Sequence, residues 1–300
     1  MGIAFAVLSG LSFAAGNIVA KKALDQSTLR YSIWITSLVN LLLFAVIDII
    51  YRLTATDPAP ITTTGTLIFI AAGFLTTFLG RKTLYISFQS IGPSRGSAIK
   101  NSSPIFTLLV AFFFLHESMS TNALIGVIIV IIGILLQGLA MFRETAGTPN
   151  SGSALHGYFF AIASATLFGV GLAVRSPGME EIPDPYFGAL MSAIVTLFFA
   201  TGEEIYTNGP KAFPSFIKNC FKLENRWYYV AGVCTSMGVG SFFIAISIMQ
   251  VSIVATIAAI EPLLTILLSV IILKKTETIT RFTVLSAVVV ILGVAFIMLG

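Results

Sequence analysis

Four ionisable side chains fall inside long apolar runs of this 300-residue sequence: Arg81, Lys82, Lys100 and Glu261. A charge at the centre of a membrane helix costs roughly 2.5–3.5 kcal/mol on insertion scales, so it turns toward a partner or a polar cavity and usually has a task. Three cations against one carboxylate leave a positive balance. A cavity of that charge attracts an anion, or a zwitterion whose carboxylate meets Arg81, Lys82 or Lys100 and whose ammonium meets Glu261. The arginine fork suits carboxylate or phosphate in particular. The competing reading is ionic cement, in which Glu261 pairs with Lys100 or Arg81 and joins two parts of the molecule.

The neighbours of these charges extend the candidate site. Phe74, Phe78, Arg81, Lys82, Tyr85 and Gln89 recur at three- and four-residue spacing, which on a helix makes one polar-aromatic stripe. Ser97, Lys100, Asn101 and Pro104 share a second face. Asn17 lies on a small-residue face with Ser9, Ser12, Phe13, Gly16 and Ala20, where it is either a ligand contact or a hydrogen bond between helices. The binding set read from the sequence is therefore Arg81, Lys82, Lys100, Glu261, Tyr85, Asn101, Asn17 and Phe78. Pro104 and Pro262 each remove a backbone hydrogen bond inside a span. They read as gating hinges or as static kinks.

Other chemistry finds little support. There is no Ser-His-Asp order, no paired-histidine metal motif and no Walker loop. Gly238-Val239-Gly240-Ser241 is too weak a phosphate loop and sits in an apolar span. His116–Glu117 and Glu203–Glu204 are the only clustered acid/base pairs, and His116–Glu117 reads as a cap or an interfacial ion pair. Catalytic residues, cofactors and metal ligands are accordingly none. Energy must come from ion coupling, exchange or the substrate's own gradient, with Glu261 the residue for a coupling proton.

The elements that must hold these residues are membrane helices. Hydrophobic residues make up 56% of the chain and charged residues 10%, far below the roughly 25% charge of soluble domains. Mean hydropathy is +0.96. The apolar runs are long and continuous, so they span as helices rather than as barrel strands. Ten spans are expected, over 2–22, 31–51, 66–89, 93–115, 121–142, 155–176, 185–206, 227–249, 251–273 and 280–299. The first is a span and not a signal peptide, because Lys21–Lys22 follow it. The loop 208–226 mixes Phe213, Phe216, Ile217 and Phe221 with Lys211, Lys218 and Lys222; it is either an amphipathic surface segment or an ordinary polar loop. Span eight carries Gly232, Ser236, Gly238, Gly240 and Ser241, a pattern for close packing or a flexible gate wall. Gly126, Gly133, Gly138 and Gly293 give spans five and ten a packing or dimer face. The pI near 9.1 places loop lysines and arginines against lipid headgroups, not nucleic acid.

A repeat runs through these spans. Ser94, Pro104, Thr107 and Leu109 match Ser252, Pro262, Thr265 and Leu267 at an offset of 158. After a two-residue insertion, Glu117, Val130, Ile131 and Gly133 match Glu277, Val290, Ile291 and Gly293 at 160. The first helix aligns with the sixth at 154, Ser12 to Thr166 and Lys21 to Arg175. The unit is thus five helices, 1–145 and 146–300. An odd number inverts the second copy, an arrangement of secondary transporters. With Arg81, Lys82 and Lys100 set aside, twelve of fourteen Lys/Arg fall on one side and only Arg52 and Arg175 on the other. The positive-inside rule puts the rich side in the cytoplasm and both termini outside.

Pro104 followed by Leu115-His116-Glu117, and Pro262 followed by Glu277, resemble the drug/metabolite transporter superfamily, EamA type, over the whole chain. Phe13 and Asn17 stand where that family often has Trp and Asn/Ser in the first helix. The sixth helix departs from the pattern, with Phe168 and Gly171. The resemblance implies a ten-helix transporter and cytoplasmic termini, against the charge count; orientation stays open. The expectation is an all-α integral protein of the cell membrane, monomer or homodimer. It moves a small anionic or zwitterionic metabolite, such as an amino acid or organic acid, by alternating access. The alternatives are a flippase for a lipid-linked anionic substrate and a membrane-embedded enzyme.

Overall fold

The computed structural model describes residues 1–24, 29–91, 96, 99–144, 151–261, 263–265, 267–268 and 281–298. Among them every regular element is helical and no strand occurs. The chain runs through α1 (Gly2–Leu24) and α2 (Leu29–Thr54) into one continuous rod. That rod comprises α3 (Thr63–Gly73), a π-helical segment (Phe74–Gly80) and α4 (Arg81–Ile91). Then follow α5 (Ser103–Phe113), α6 (Thr121–Glu144), α7 (Ser151–Glu181), α8 (Pro185–Asn208), α9 (Phe213–Cys220), α10 (Arg226–Ile246), α11 (Val251–Ala258) and α12 (Arg281–Met298).

Among the described residues six stretches are long and apolar enough to cross a membrane: Gly2–Ala20, Tyr31–Thr54, Thr63–Leu84, Leu155–Glu181, Pro185–Asn208 and Leu223–Ile246. Shorter apolar helices at Ser103–Phe113, Thr121–Leu136, Val251–Thr265 and Val288–Ile297 fall within the other four expected spans. The outer surface carries Leu42, Val46, Ile49, Phe113, Ile162, Phe198 and Ile291, all well exposed, as a lipid-facing surface requires.

Contacts define two ends of the bundle. Gly2 lies against Met249, and Gly65 against Ile182, at one end. At the other, the Lys22 ammonium sits 3.8 Å from the Trp227 ring centroid, and Phe216 of α9 stacks on Tyr31 at 5.3 Å. Segment 208–226 is thus a short helix whose Phe216 and Cys220 are buried, while Phe221 stays exposed.

Small residues decide which helices touch. α1 lies on α10 through Gly16 and Gly238, with Ser9 Oγ donating to the Gly238 carbonyl at 2.8 Å. α7 lies along the 63–91 rod. A Cβ on Gly171 would come within 2.6 Å of Thr76 Cγ2, and Ser164 Oγ donates to Gly80 O at 2.8 Å. α6 and α12 meet at Gly126, Gly133 and Gly293, where added Cβ atoms would collide at 2.6–2.7 Å. The expected packing roles of spans five, eight and ten are realised here within one chain.

Two local expectations are corrected. Pro104 does not kink a continuous helix. It stands in the first turn of α5, after a turn at Asn101–Ser102 that interrupts the span, and in that position its missing N–H costs nothing. The sixth span, expected over 155–176, runs on as α7 through Pro177 to Glu181. Within a packed membrane bundle the alternative, free backbone in lipid, is worse than one lost hydrogen bond.

Candidate functional site

Glu261 is the centre of the charged site. Counting the rise per residue, it lies about 15 Å along the chain direction from Val251. It follows a turn at Ala259–Ile260 that ends α11. Its Oε1 accepts from Asn17 Nδ2 of α1 at 2.6 Å, and its Oε2 is 3.9 Å from Lys100 Nζ. The Lys100 ammonium is also 4.9 Å from the Phe168 ring centroid of α7. Both charged side chains are about one-fifth exposed, 19% and 20%, and Asn17 is exposed.

The two contacts of Glu261 differ in kind. At 2.6 Å the amide is firmly hydrogen-bonded. At 3.9 Å the lysine is an ion pair without a hydrogen bond, since charge-assisted N–H···O contacts close to about 2.7–2.9 Å. Lys100 and Glu261 thus attract each other yet retain unused hydrogen-bonding capacity.

Of the sequence-derived set, Asn17, Lys100 and Glu261 come together; among the described residues Arg81, Lys82, Phe78 and Asn101 make their contacts elsewhere. Arg81 and Lys82 were expected near the middle of span three. They lie about 27–28 Å from Thr63 along a rod that runs on to Ile91, a little past its midpoint on the Lys22 side. Arg81 Nη1 is 3.5 Å from Thr36 Oγ1 of α2. Lys82 Nζ pairs with Glu203 Oε1 at 2.8 Å, both side chains over 40% exposed. Phe78 packs with Phe74 and with Phe199 of α8 at 5.8 and 5.2 Å. Asn101 and Pro104 line a crevice against Ile131, Ile134 and Leu135 of α6. Tyr85 belongs to α4, but its side chain lies outside the described residues, as does Pro262. Within the stripe of span three, Phe74 stacks on Phe78 and Lys82 Nζ lies 5.8 Å from the Phe78 ring centroid, across a π segment that changes the repeat before Arg81; the Gln89 side chain lies outside the described residues.

The sequence reading passed over Arg175 as a buried ion. Arg175, assigned to a membrane face, is 3% exposed inside α7. One Nη donates to Thr76 Oγ1 at 3.2 Å, and the rings of Phe243 and Phe242 lie 4.7 and 5.3 Å from Cζ. Its position inside span 155–176 was the available signal; a snorkelling arginine near a span end gives the same pattern.

At the Gly2 end, carboxylates tie helices together. Glu117 Oε1 accepts from the Val251 N–H at 3.0 Å, and Oε2 accepts from Ser252 Oγ. It therefore caps α11, whose own N-cap residue Gln250 does not. His116 beside it is exposed, with φ 52°, and makes the turn after α5. Arg52 of α2 bonds Asp48 and reaches Asp184 Oδ2 at 2.9 Å. Asp184 in turn caps α8 through the Tyr186 and Phe187 N–H groups at 3.0 Å. Burial pushes the Asp184 carboxyl above its ordinary range, against those two donors, with nearby Asp48 adding to the rise.

Among the described residues no cluster of His, Cys, Asp and Glu could hold a metal. A groove of 420 Å³ between α2 and α8 is lined by Leu41, Ile194, Leu197 and Phe198. Its one hydroxyl, Thr201, accepts from the Trp34 indole, so the groove offers no charge to a metabolite.

The EamA-like transporter family matches the chain over residues 1–139 and 155–299. No curated protein matches it. A solved crystal structure of a protein aligns with 98% of this chain and 96% of its own, with a TM-score of 0.73 and 15% sequence identity. That likeness concerns the fold alone.

Proposed function

The chain belongs to the EamA-like transporter family, a multi-pass membrane transporter of the drug/metabolite transporter superfamily, and we propose that it moves a small anionic or zwitterionic metabolite by alternating access. The observation that carries this reading is the meeting of Glu261 with Lys100 and Asn17. The carboxylate comes from the second half of the chain and its partners from the first, with the two charged side chains about one-fifth exposed and Asn17 beside them at the surface.

The ten-helix, inverted-repeat architecture belongs to the same proposal. The 158-residue offset that aligns Pro104 with Pro262 also aligns the turn at Asn101–Ser102 with that at Ala259–Ile260. Both inner helices thus lose regularity beside the charges, and broken helices at mid-depth are how transporters build binding sites. The packing supports a two-fold relation as well. α1 on α10 has its counterpart in α7 on the 63–91 rod, and α5 on α7 in α11 on α1. α2 with α8 and α6 with α12 are pairs that exchange with themselves.

In this mechanism a zwitterion replaces the loose Lys100–Glu261 attraction with two hydrogen-bonded contacts, its ammonium on Glu261 and its carboxylate on Lys100. The halves are then joined through the substrate, and rocking one against the other moves the opening from one membrane face to the other. Asn17 holds Glu261 in place. A coupled proton belongs on Glu261, the carboxylate closest to mid-depth among the described residues. The test is counterflow of labelled alanine, glutamate and succinate in proteoliposomes. At least one accumulates with the wild type, and Glu261→Gln and Lys100→Met each lower the rate about 10- to 100-fold, the value of one charge-assisted hydrogen bond. Normal insertion with unchanged counterflow in both variants overturns the assignment.

A further inference from the structure

We propose that Arg175 is a second anion-binding station, a guanidinium left without a counter-ion inside the fold so that a substrate carboxylate can serve as one between Glu261 and the Gly2 end. The inference rests on the carboxylate-bearing substrate proposed above.

The side chain is 3% exposed, and among the described residues no carboxylate lies within ion-pair distance. Among the described residues its one hydrogen-bond acceptor is a neutral hydroxyl, Thr76 Oγ1, and Nε has no partner. A guanidinium has five N–H donors, so most of its capacity is unused. The rings of Phe242 and Phe243 offset part of the desolvation cost by cation–π attraction, but they neutralise nothing. As cement between helices this is a poor choice: an apolar side chain of similar volume would fill the space without desolvating a charge. As a carboxylate receptor the same arrangement is well made. It is low in dielectric, positive and forked.

Its position fits a route. Arg175 follows Phe168 by seven residues, two helical turns, so both lie on one face of α7 about 10 Å apart. Phe168 is the ring beneath the Lys100 ammonium. A carboxylate leaving Lys100 toward the Gly2 end therefore meets Arg175 next. The elements holding the arginine are themselves irregular. Pro177 interrupts the α7 hydrogen bonding two residues on, and Thr76 lies in the π segment. Either can yield to uncover the guanidinium. The 154-residue offset places Lys21 of α1 at the matching position, a cation toward the other end.

Succinate, alanine and the carboxylate-free putrescine serve as probes, with binding to purified full-length protein measured by calorimetry. Wild type binds succinate or alanine, Arg175→Met weakens that binding about tenfold or more, and its thermal midpoint stays level or rises. Arg175→Lys keeps the charge without the fork and loses less. If Arg175→Met fails to fold, Arg175→Lys decides: binding weakened severalfold at an unchanged midpoint supports the station, and wild-type binding overturns it. Wild-type carboxylate binding in Arg175→Met likewise overturns the station while leaving the central site standing. Failure of the wild type to bind either carboxylate, or a preference for putrescine, overturns both.

Discussion

Asn17 Nδ2 lies 2.6 Å from Glu261 Oε1, although 244 residues separate them in the chain. One end of the protein thereby aims the carboxylate supplied by the other. A carboxylate held by one strong contact on Oε1 presents Oε2 in a defined direction, toward Lys100 at 3.9 Å. Asn17 is therefore a positioning residue for Glu261 and sits close enough to touch a ligand itself.

Replacing Asn17 should weaken binding without unfolding the protein. Asn17→Ala removes one charge-assisted hydrogen bond, and we expect apparent affinity for the transported substrate to fall about tenfold. Asn17→Asp places a second carboxylate against Glu261 and should be worse than alanine. Concentration dependence of counterflow checks both; an alanine variant with wild-type affinity would show that Glu261 is aimed by something else.

Lys82 should prove dispensable despite its place in an apolar run. Its pair with Glu203 is more than 40% exposed on both sides, and such pairs contribute at most about 1 kcal/mol. Lys82→Ala is expected to keep transport within about twofold of wild type and to change the thermal midpoint little. A loss as large as that of Lys100→Met would place Lys82 on the substrate route.

Glu117 should hold the Gly2 end shut. Its two oxygens cap α11 at Val251 and Ser252 across 134 and 135 residues of sequence. Glu117→Ala removes a cap worth about 1 kcal/mol and frees the α11 start. In a Cys220→Ser/Cys234→Ser background, a cysteine replacing the buried Thr256 one turn below should react faster with an impermeant thiol reagent once Glu117 is alanine. Equal rates would mean that the end is closed by packing alone.

Asp184 should make stability depend on pH in a particular sense. Its folded-state pKa is raised, chiefly by burial, so the folded protein holds this proton more tightly than the unfolded chain. Stability from this group is thus greatest below the ordinary carboxylate pKa and is lost as pH rises through the window up to the raised value. Asp184→Asn, which keeps a capping oxygen, should flatten that part of a thermal-midpoint profile. An unchanged slope would assign the dependence to other groups.

Much of the fold was legible because membrane insertion makes a linear signal. Each span must satisfy its own backbone and be apolar over about 20 residues, so position and helical character can be read directly. The glycines of spans five, eight and ten were legible as packing faces for a similar reason: close approach needs small residues wherever it happens. Pro104 and Pro177 were harder. A proline marks a missing hydrogen bond, but whether the helix starts there, as at Pro104, or continues, as at Pro177, depends on what packs beside it.

The charged site divides along the same line. Residue type and depth along a span marked Lys100, Glu261 and Asn17, since an ion or amide in an apolar run demands a partner whatever the fold. The same criterion marked Arg81 and Lys82, which find theirs on the Lys22 side, and passed over Arg175, which has no ionic partner among the described residues. Sequence by itself determined that charged side chains fall within apolar helices. Only the tertiary structure decided which charges meet, because pairing depends on helix rotation and on the register shift of the π segment at Phe74–Gly80, set by neighbours far away in the chain.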